Sequence, residues 1–206
     1  MKSDIKPFGI PILQVCQFPP MISDSEEPIQ SPITDSIKSL SPDRWQRTFC
    51  EKHSKGRTAP RLLILCQSAI RAAEIYDQLK FTIFNGQVER KAIVIEKTKV
   101  NPAAKTVSEV RVAKLFGKHF KVEEQLEFLN KTPVSIAVGT PGRIQQIFEA
   151  DSNLLQKLEW LVFDAQLNSK GFTIFETFDT SKPLFEFLFK TCEPILSSGK
   201  LKVCLY

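Results

Sequence analysis

Glycine is scarce in this chain of 206 residues, which holds only eight. The scarcity bears on phosphate chemistry. A Walker-type loop needs glycine, four residues, then Gly-Lys-Ser/Thr, so that backbone N–H groups surround the phosphates. The two Gly-Lys pairs, Gly117-Lys118 and Gly199-Lys200, run on into His119 and Leu201, and Val112 and Pro194 stand where the leading glycine belongs. The sequence carries no loop of that kind. Histidine is scarcer still: His53 and His119 are the whole complement, and neither sits in an HExxH-type spacing. Histidine-based metal catalysis and a nucleophile–His relay therefore have no local support, and both histidines read as solvated loop residues. The five cysteines (16, 50, 66, 192 and 204) form no CxxC pair, and their number is odd. That favours free thiols in a reducing compartment over a disulfide scaffold or zinc ribbon. The longest unbroken apolar run is Leu62 to Cys66, far short of the roughly 18 residues of a spanning helix, so no membrane association is expected. Pro7, Pro11, Pro19 and Pro20 interrupt the N-terminus, and a secretory leader is not expected either.

What is present describes a globular domain beside a tail. Hydrophobic residues make up 42% and charged residues 25%, enough apolar content to build a core. Residues 1–42 hold seven of the thirteen prolines, in stretches such as Pro19-Pro20, Ser31-Pro32 and Ser41-Pro42. They read as a Pro/Ser-rich, partly extended tail. Its apolar members, Phe8 to Phe18, still allow part of it to lie along the domain. The domain proper is assigned to residues 43–206, opening with a helix capped by Ser41 with Pro42 in its first position.

From Ala59 onward, short apolar runs alternate with amphipathic segments. Strands are predicted at 61–66, 92–96, 110–116, 134–138, 158–163 and 201–206. Helices are predicted after Cys66, where Ala72, Ile75, Tyr76 and Leu79 share one face, and over 121–131, where Val122, Leu126 and Leu129 do. Others cover 142–149 and 182–193, the last ended by Pro194. Strands that are apolar throughout, alternating with helices, indicate a parallel sheet covered on both faces: an α/β doubly wound domain.

Charge is unevenly spread. Between Arg90 and Lys121 nine basic residues face only Glu96 and Glu109, a balance of +7 against +5 for the whole chain. Such a stretch attracts polyanions, because each cation that neutralises a phosphate releases a counterion. Residues 81–109 read as a basic insertion on the surface. The phenylalanines at 172, 175, 178, 185, 187 and 189 are expected mostly in the core. Phe185 and Phe187 cannot both face inward from one helix, so an exposed apolar patch is also expected there.

The most informative segment is Val138-Gly-Thr-Pro-Gly-Arg-Ile144. A strand ends, Thr140 is placed to cap a helix, and Pro141 occupies its first turn. The helix start, with Arg143 beside it, suits a phosphate. This segment resembles the TPGR element of DEAD-box RNA helicases, and its neighbours follow that family's order. Leu63-Ile-Leu-Cys-Gln-Ser-Ala-Ile-Arg-Ala-Ala73 resembles the motif that normally reads PTRELA. Lys114-Leu-Phe-Gly-Lys118 resembles the double-glycine motif, with Lys118 in place of the second glycine. Glu159-Trp-Leu-Val-Phe-Asp-Ala-Gln-Leu167 resembles the strand ending in DEAD, and Gly171-Phe172 matches the Gly-Phe that follows. The resemblance covers residues 60–206 and implies a single RecA-like domain, similar to the first domain of those helicases, without a second.

The departures bear on activity. The phosphate loop is absent, and the DEAD position reads Asp164-Ala165-Gln166-Leu167, so the acid that would activate water is missing. Nucleotide hydrolysis needs a phosphate clamp, a metal anchor and a water-positioning group; an enzyme is not expected, no residue is assigned a catalytic or metal-binding role, and no cofactor is implied. Asp164 reads as a strand-end carboxylate capping nearby backbone, and Trp160 as core. A degenerate domain of this kind is similar to the Cms-type family linked to the eukaryotic small-subunit processome. That resemblance implies a nucleolar, non-catalytic assembly factor of the 90S pre-ribosome, with pre-ribosomal RNA and proteins as partners. Carried over position by position, the RNA-binding residues would be Thr140, Gly142, Arg143, Gly117 and Lys118. The alternative is a protein-binding scaffold on the same fold, working through the Phe-rich C-terminal third and the tail.

Overall fold

The computed structural model describes residues 32–50, 59–80, 83, 110–117 and 120–206, together with the backbone of Val15–Gln17. The predicted strand at 92–96, most of the 81–109 insertion, Lys118 and both histidines lie outside the described residues. Among the described residues six strands form one sheet: β1 Val15–Gln17, β2 Leu62–Leu65, β3 Arg111–Leu115, β4 Val134–Gly139, β5 Trp160–Phe163 and β6 Lys202–Leu205. Every pairing is parallel, in the order β1-β6-β5-β2-β4-β3. The helices are α1 Ile33–Leu40, α2 Trp45–Cys50, α3 Ala69–Leu79, α4 Val122–Lys131, α5 Pro141–Ala150, α6 Phe178–Glu186 and α7 Glu193–Ser197. The doubly wound α/β class is as expected, and the arrangement is consistent with a RecA-like fold.

The two-residue period of a strand explains why these runs carry no polar alternation. Leu62, Ile64, Ile136, Val138, Trp160 and Val162 pack under α1, α2 and α3, against Ile33, Ile37, Phe49, Ala72 and Ile75. Their neighbours Leu63, Leu65, Ala137, Leu161 and Phe163 point the other way, against Leu129, Ile144, Phe148 and Leu184 of α4, α5 and α6. Each central strand is thus buried on both sides, and Leu62 to Leu65 are all fully buried. Trp160 is core, as expected, in edge-to-face contact with Phe49 at 5.4 Å.

Several local expectations need correction. Ser41 does not open a helix; it ends one. Its amide turns back to the Lys38 carbonyl, and Pro42 disfavours helical backbone in the residue before it, so 42–44 form a turn before α2. The preceding helix α1 lies in the segment read as tail, yet Ile33 and Ile37, one helical turn apart, are fully buried. Likewise the helix expected over 182–193 starts earlier, at Phe178, with Pro183 inside it. It then widens into a π-turn at Phe187–Thr191, in which the Cys192 amide reaches the Phe187 carbonyl five residues back. Pro194 does not end that helix but stands in the first turn of α7.

The phenylalanines also sort differently from expectation. Phe187 is fully buried and Phe175 half-buried, but Phe172, Phe178, Phe185 and Phe189 are exposed. Leu184 and Phe187 face the core from one side of the helix, so Phe185 and Phe189 share the outer side, stacked 6.0 Å apart.

One glycine is required by close approach. A Cβ on Gly139 would stand 2.4 Å from the Leu115 carbonyl oxygen of the adjacent strand and 2.9 Å from the Ile144 side chain. Neighbouring backbone cannot yield as a flexible side chain does. Gly139→Ala is therefore expected to lower stability by about 1–3 kcal/mol, read as a lower urea midpoint with unchanged slope. Gly142→Ala is the control: its Cβ would meet nothing closer than Pro183 at 4.0 Å, and the change should stay within about 0.5 kcal/mol.

Candidate nucleic-acid interface

Parallel strands place all their C-terminal ends on one edge, where ligands of open α/β sheets bind. In this chain that edge carries the loops that leave β2, β3, β4 and β5. The turn after β3 begins at Gly117, whose φ of 103° is left-handed and suits a residue without a side chain. The turn after β4 carries Thr140, Pro141, Gly142 and Arg143. Thr140 stands at the N-cap position in extended conformation, and its carbonyl accepts from the Arg143 and Ile144 amides. Its side chain makes no capping hydrogen bond, contrary to the role expected of it. Pro141 occupies the first helical position as expected.

Arg143 joins these two turns. Its Nη1 donates to the Phe120 carbonyl at 2.7 Å and to Gln125 Oε1 at 3.3 Å, and its Nη2 donates to the Gly117 carbonyl at 3.3 Å. Gln125 completes the knot. Buried on α4, it donates through Nε2 to the Lys114 carbonyl at 2.8 Å and the Phe116 carbonyl at 3.4 Å. One guanidinium and one amide thereby tie β3, its following turn, α4 and α5 together. Of the five residues expected to bind RNA, Gly117, Thr140, Gly142 and Arg143 converge here, and Lys118 lies outside the described residues. Arg143, however, spends part of its donor set on protein carbonyls, so its first role is to hold the turns in place. Gln125 escaped the sequence reading. A glutamine three residues into an amphipathic helix carries no local signal for two partners on a distant strand.

The ends of β2 and β5 are tied by a second arginine. Asp164, fully buried at the end of β5, accepts from Arg71 Nε at 2.9 Å and Nη2 at 3.3 Å. The carboxylate thus meets a guanidinium fork rather than the backbone groups expected. Ser68 caps α3 by accepting the Arg71 amide at 3.1 Å, and Glu74 takes Arg71 Nη1 at 3.3 Å. Gln67 Nε2 donates to the Gln166 carbonyl at 2.7 Å, a further stitch between the same two loops. Burial works against the Arg71 charge, but the hydrogen bond and charge of Asp164, helped by the hydrogen bond to Glu74 and the Tyr206 charge, outweigh it and hold its pKa above the ordinary value. Beside them, burial first and the Asp164 charge second push the Cys66 thiol far up, the direction expected of a thiol in apolar surroundings. Burial likewise pushes the Cys192 thiol up to about 12. Among the described residues, no three of His, Cys, Asp and Glu are grouped to hold a metal ion.

The Arg71–Asp164 pair makes a firm demand on stability. Removing one member of a buried pair strands the other's charge, at a cost of about 3–5 kcal/mol. Arg71→Ala is expected to lose that much in urea denaturation. The double change Arg71→Met with Asp164→Leu, which strands nothing, should recover most of it.

Comparison with known proteins places this geometry in a family. The chain is 33% identical over 132 residues to Protein CMSS1 of Danio rerio, covering 64% of this chain and 36% of that protein. It is 28% identical over 175 residues to Protein CMSS1 of Homo sapiens, covering 84% and 53%. With Protein CMS1 of Chaetomium thermophilum identity reaches 45% over 78 residues, 37% of this chain and 31% of that one. The chain therefore spans about half the length, or less, of the curated relatives it matches. The model of the CMS1 family, described as U3-containing 90S pre-ribosomal complex subunit, matches residues 33–206 from the first core helix to the last strand, and the chain belongs to that family.

Proposed function

We propose that this chain serves as a non-catalytic assembly factor of the 90S pre-ribosome, in the nucleolus, and contacts pre-ribosomal RNA along the C-terminal edge of its sheet. The family supplies the setting. The observation that carries the RNA reading is the convergence of Gly117, Thr140, Gly142 and Arg143 on one patch, drawn together by the Arg143 guanidinium. The RNA backbone would pass over the start of α5, where Gly142 leaves the turn uncovered and the helix dipole favours a phosphate. Lys118 and Lys121 add attraction that is independent of sequence. A RecA-like origin of the sheet accounts for this placement, because the resembling helicase segments lie at the same strand ends.

The non-catalytic reading draws on Asp164. The aspartate that in a DEAD-box protein would anchor a metal is here buried against Arg71, a cation the protein supplies itself. No phosphate loop accompanies it in sequence. A second reading, the protein scaffold, is favoured by a different observation: Phe178 and Phe189 are 74% and 63% exposed and share an outer face with Phe185.

Fluorescence anisotropy with a short single-stranded RNA, over a salt series, separates the two. The unaltered chain is expected to bind with a log–log slope near −0.7 per neutralised phosphate. Lys118→Ala should flatten that slope by about 0.7, one phosphate contact, while Arg143→Ala weakens binding further by loosening both turns. Negligible, salt-independent binding by the unaltered chain would overturn the RNA reading in favour of the scaffold.

A further inference from the structure

A hollow of about 320 Å³ opens beside the edge strand β3, in the angle between α3 and α4. Its walls are Tyr76 from α3, Val112 and Lys114 from β3, Phe120 from the turn, and Glu124, Gln125 and Phe128 from α4. Among the described residues β3 is the last strand on this side, so the rings of Phe120 and Phe128 meet no further layer there and stand 53% and 36% exposed. The Lys114 ammonium lies over the Tyr76 ring, 4.1 Å from its centroid, a cation–π contact that keeps the charge at the pocket wall.

The occupant follows from shape, backbone chemistry and charge. An added β-strand would need the outward backbone groups of β3, but the Lys114 and Phe116 carbonyls are already taken by Gln125 Nε2. An extended peptide therefore finds this end of the edge closed. A flat ring does not need those groups. Aromatic walls suit it, and the exposed cations Arg111, Lys114 and Lys121 lie within the most basic stretch of the sequence. Aromatic faces interleaved with cations are the means by which proteins hold single-stranded nucleic acid. The pocket is also continuous with the knot at the sheet edge, since the Phe120 carbonyl and Gln125 Oε1 both receive Arg143 Nη1.

We infer that this pocket receives one unstacked base of single-stranded RNA, whose phosphates cross Gly117 and the start of α5. The inference rests on the RNA reading above and adds to it a base-stacking site in place of backbone contact alone. Stacking is tolerant of sequence, because every base presents a π-face.

The test titrates the full chain with a fluorescein-labelled single-stranded RNA of about ten nucleotides and with an abasic-spacer oligomer of equal length and charge. The abasic oligomer is expected to bind roughly five- to a hundredfold more weakly, the worth of one stacked base, with the same salt slope. Phe128→Ala should weaken RNA binding by a similar factor and leave the abasic oligomer unaffected. Equal affinity of the unaltered chain for both oligomers would overturn the pocket and leave backbone binding standing. Absence of salt-dependent binding to either would overturn both readings. The abasic comparison needs no variant and so can overturn the pocket even where Phe128→Ala fails to fold; Phe120→Ala, at the more exposed wall, then serves to localise the base and should show the same selective loss.

Discussion

Two-sided burial of the central strands is the constraint from which the rest of this molecule follows. Leu62 to Leu65 face helices above and below, so no polar side chain can be carried along the strand without losing its water. Polar chemistry is thereby pushed to the strand ends, and parallel pairing gathers those ends on one edge. The ionic and hydrogen-bonded knots built by Arg71 and by Arg143 lie there, in the loops that leave β2, β3, β4 and β5.

Those two knots give the edge its character. In each, an arginine near a helix start reaches across to a neighbouring loop and satisfies oxygens that the sheet leaves unpaired. Arg71 neutralises a buried carboxylate, and Arg143 collects the carbonyls of a turn whose glycine bends it into a left-handed conformation. A guanidinium suits this work because its donors are fixed in a plane and its charge persists. The result is a strand edge whose loops are tied together by two arginines. The buried carboxylate of Asp164 is paired there with Arg71. The family to which the chain belongs is described as a subunit of a pre-ribosomal complex.

The aromatic residues divide along the same lines. Phe49, Phe148, Phe163 and Phe187 build the two cores through edge-to-face contacts. Phe178, Phe185 and Phe189 on one side of the molecule's last long helix, and Phe120 and Phe128 beside β3, stay exposed. Gln125 matters to the second group twice: it blunts the sheet edge against strand addition and links the pocket to the Arg143 knot.

The sequence by itself determined what depends on near neighbours. Apolar runs without polar alternation marked the strands at 61–66, 134–138 and 158–163; helical spacing marked α3 and α4; and Thr140-Pro141-Gly142 marked the start of α5. Each rests on a period of two or 3.6 residues that is present in any single segment. Only the tertiary structure decided which of these groups meet. Arg71 finds Asp164 across 93 positions, because β2 and β5 become neighbours through crossovers that no local period encodes. The same holds for Gln125 under the end of β3, and for Ile33 and Ile37, whose burial depends on a face that residues far downstream create. The outward turn of Phe185 and Phe189 belongs here too. Helical spacing says that Phe185 and Phe187 point apart, but which of them meets the core depends on where α6 lies against α5. A chain writes its periods locally; its partners are set by the order in which the strands lie side by side in the sheet.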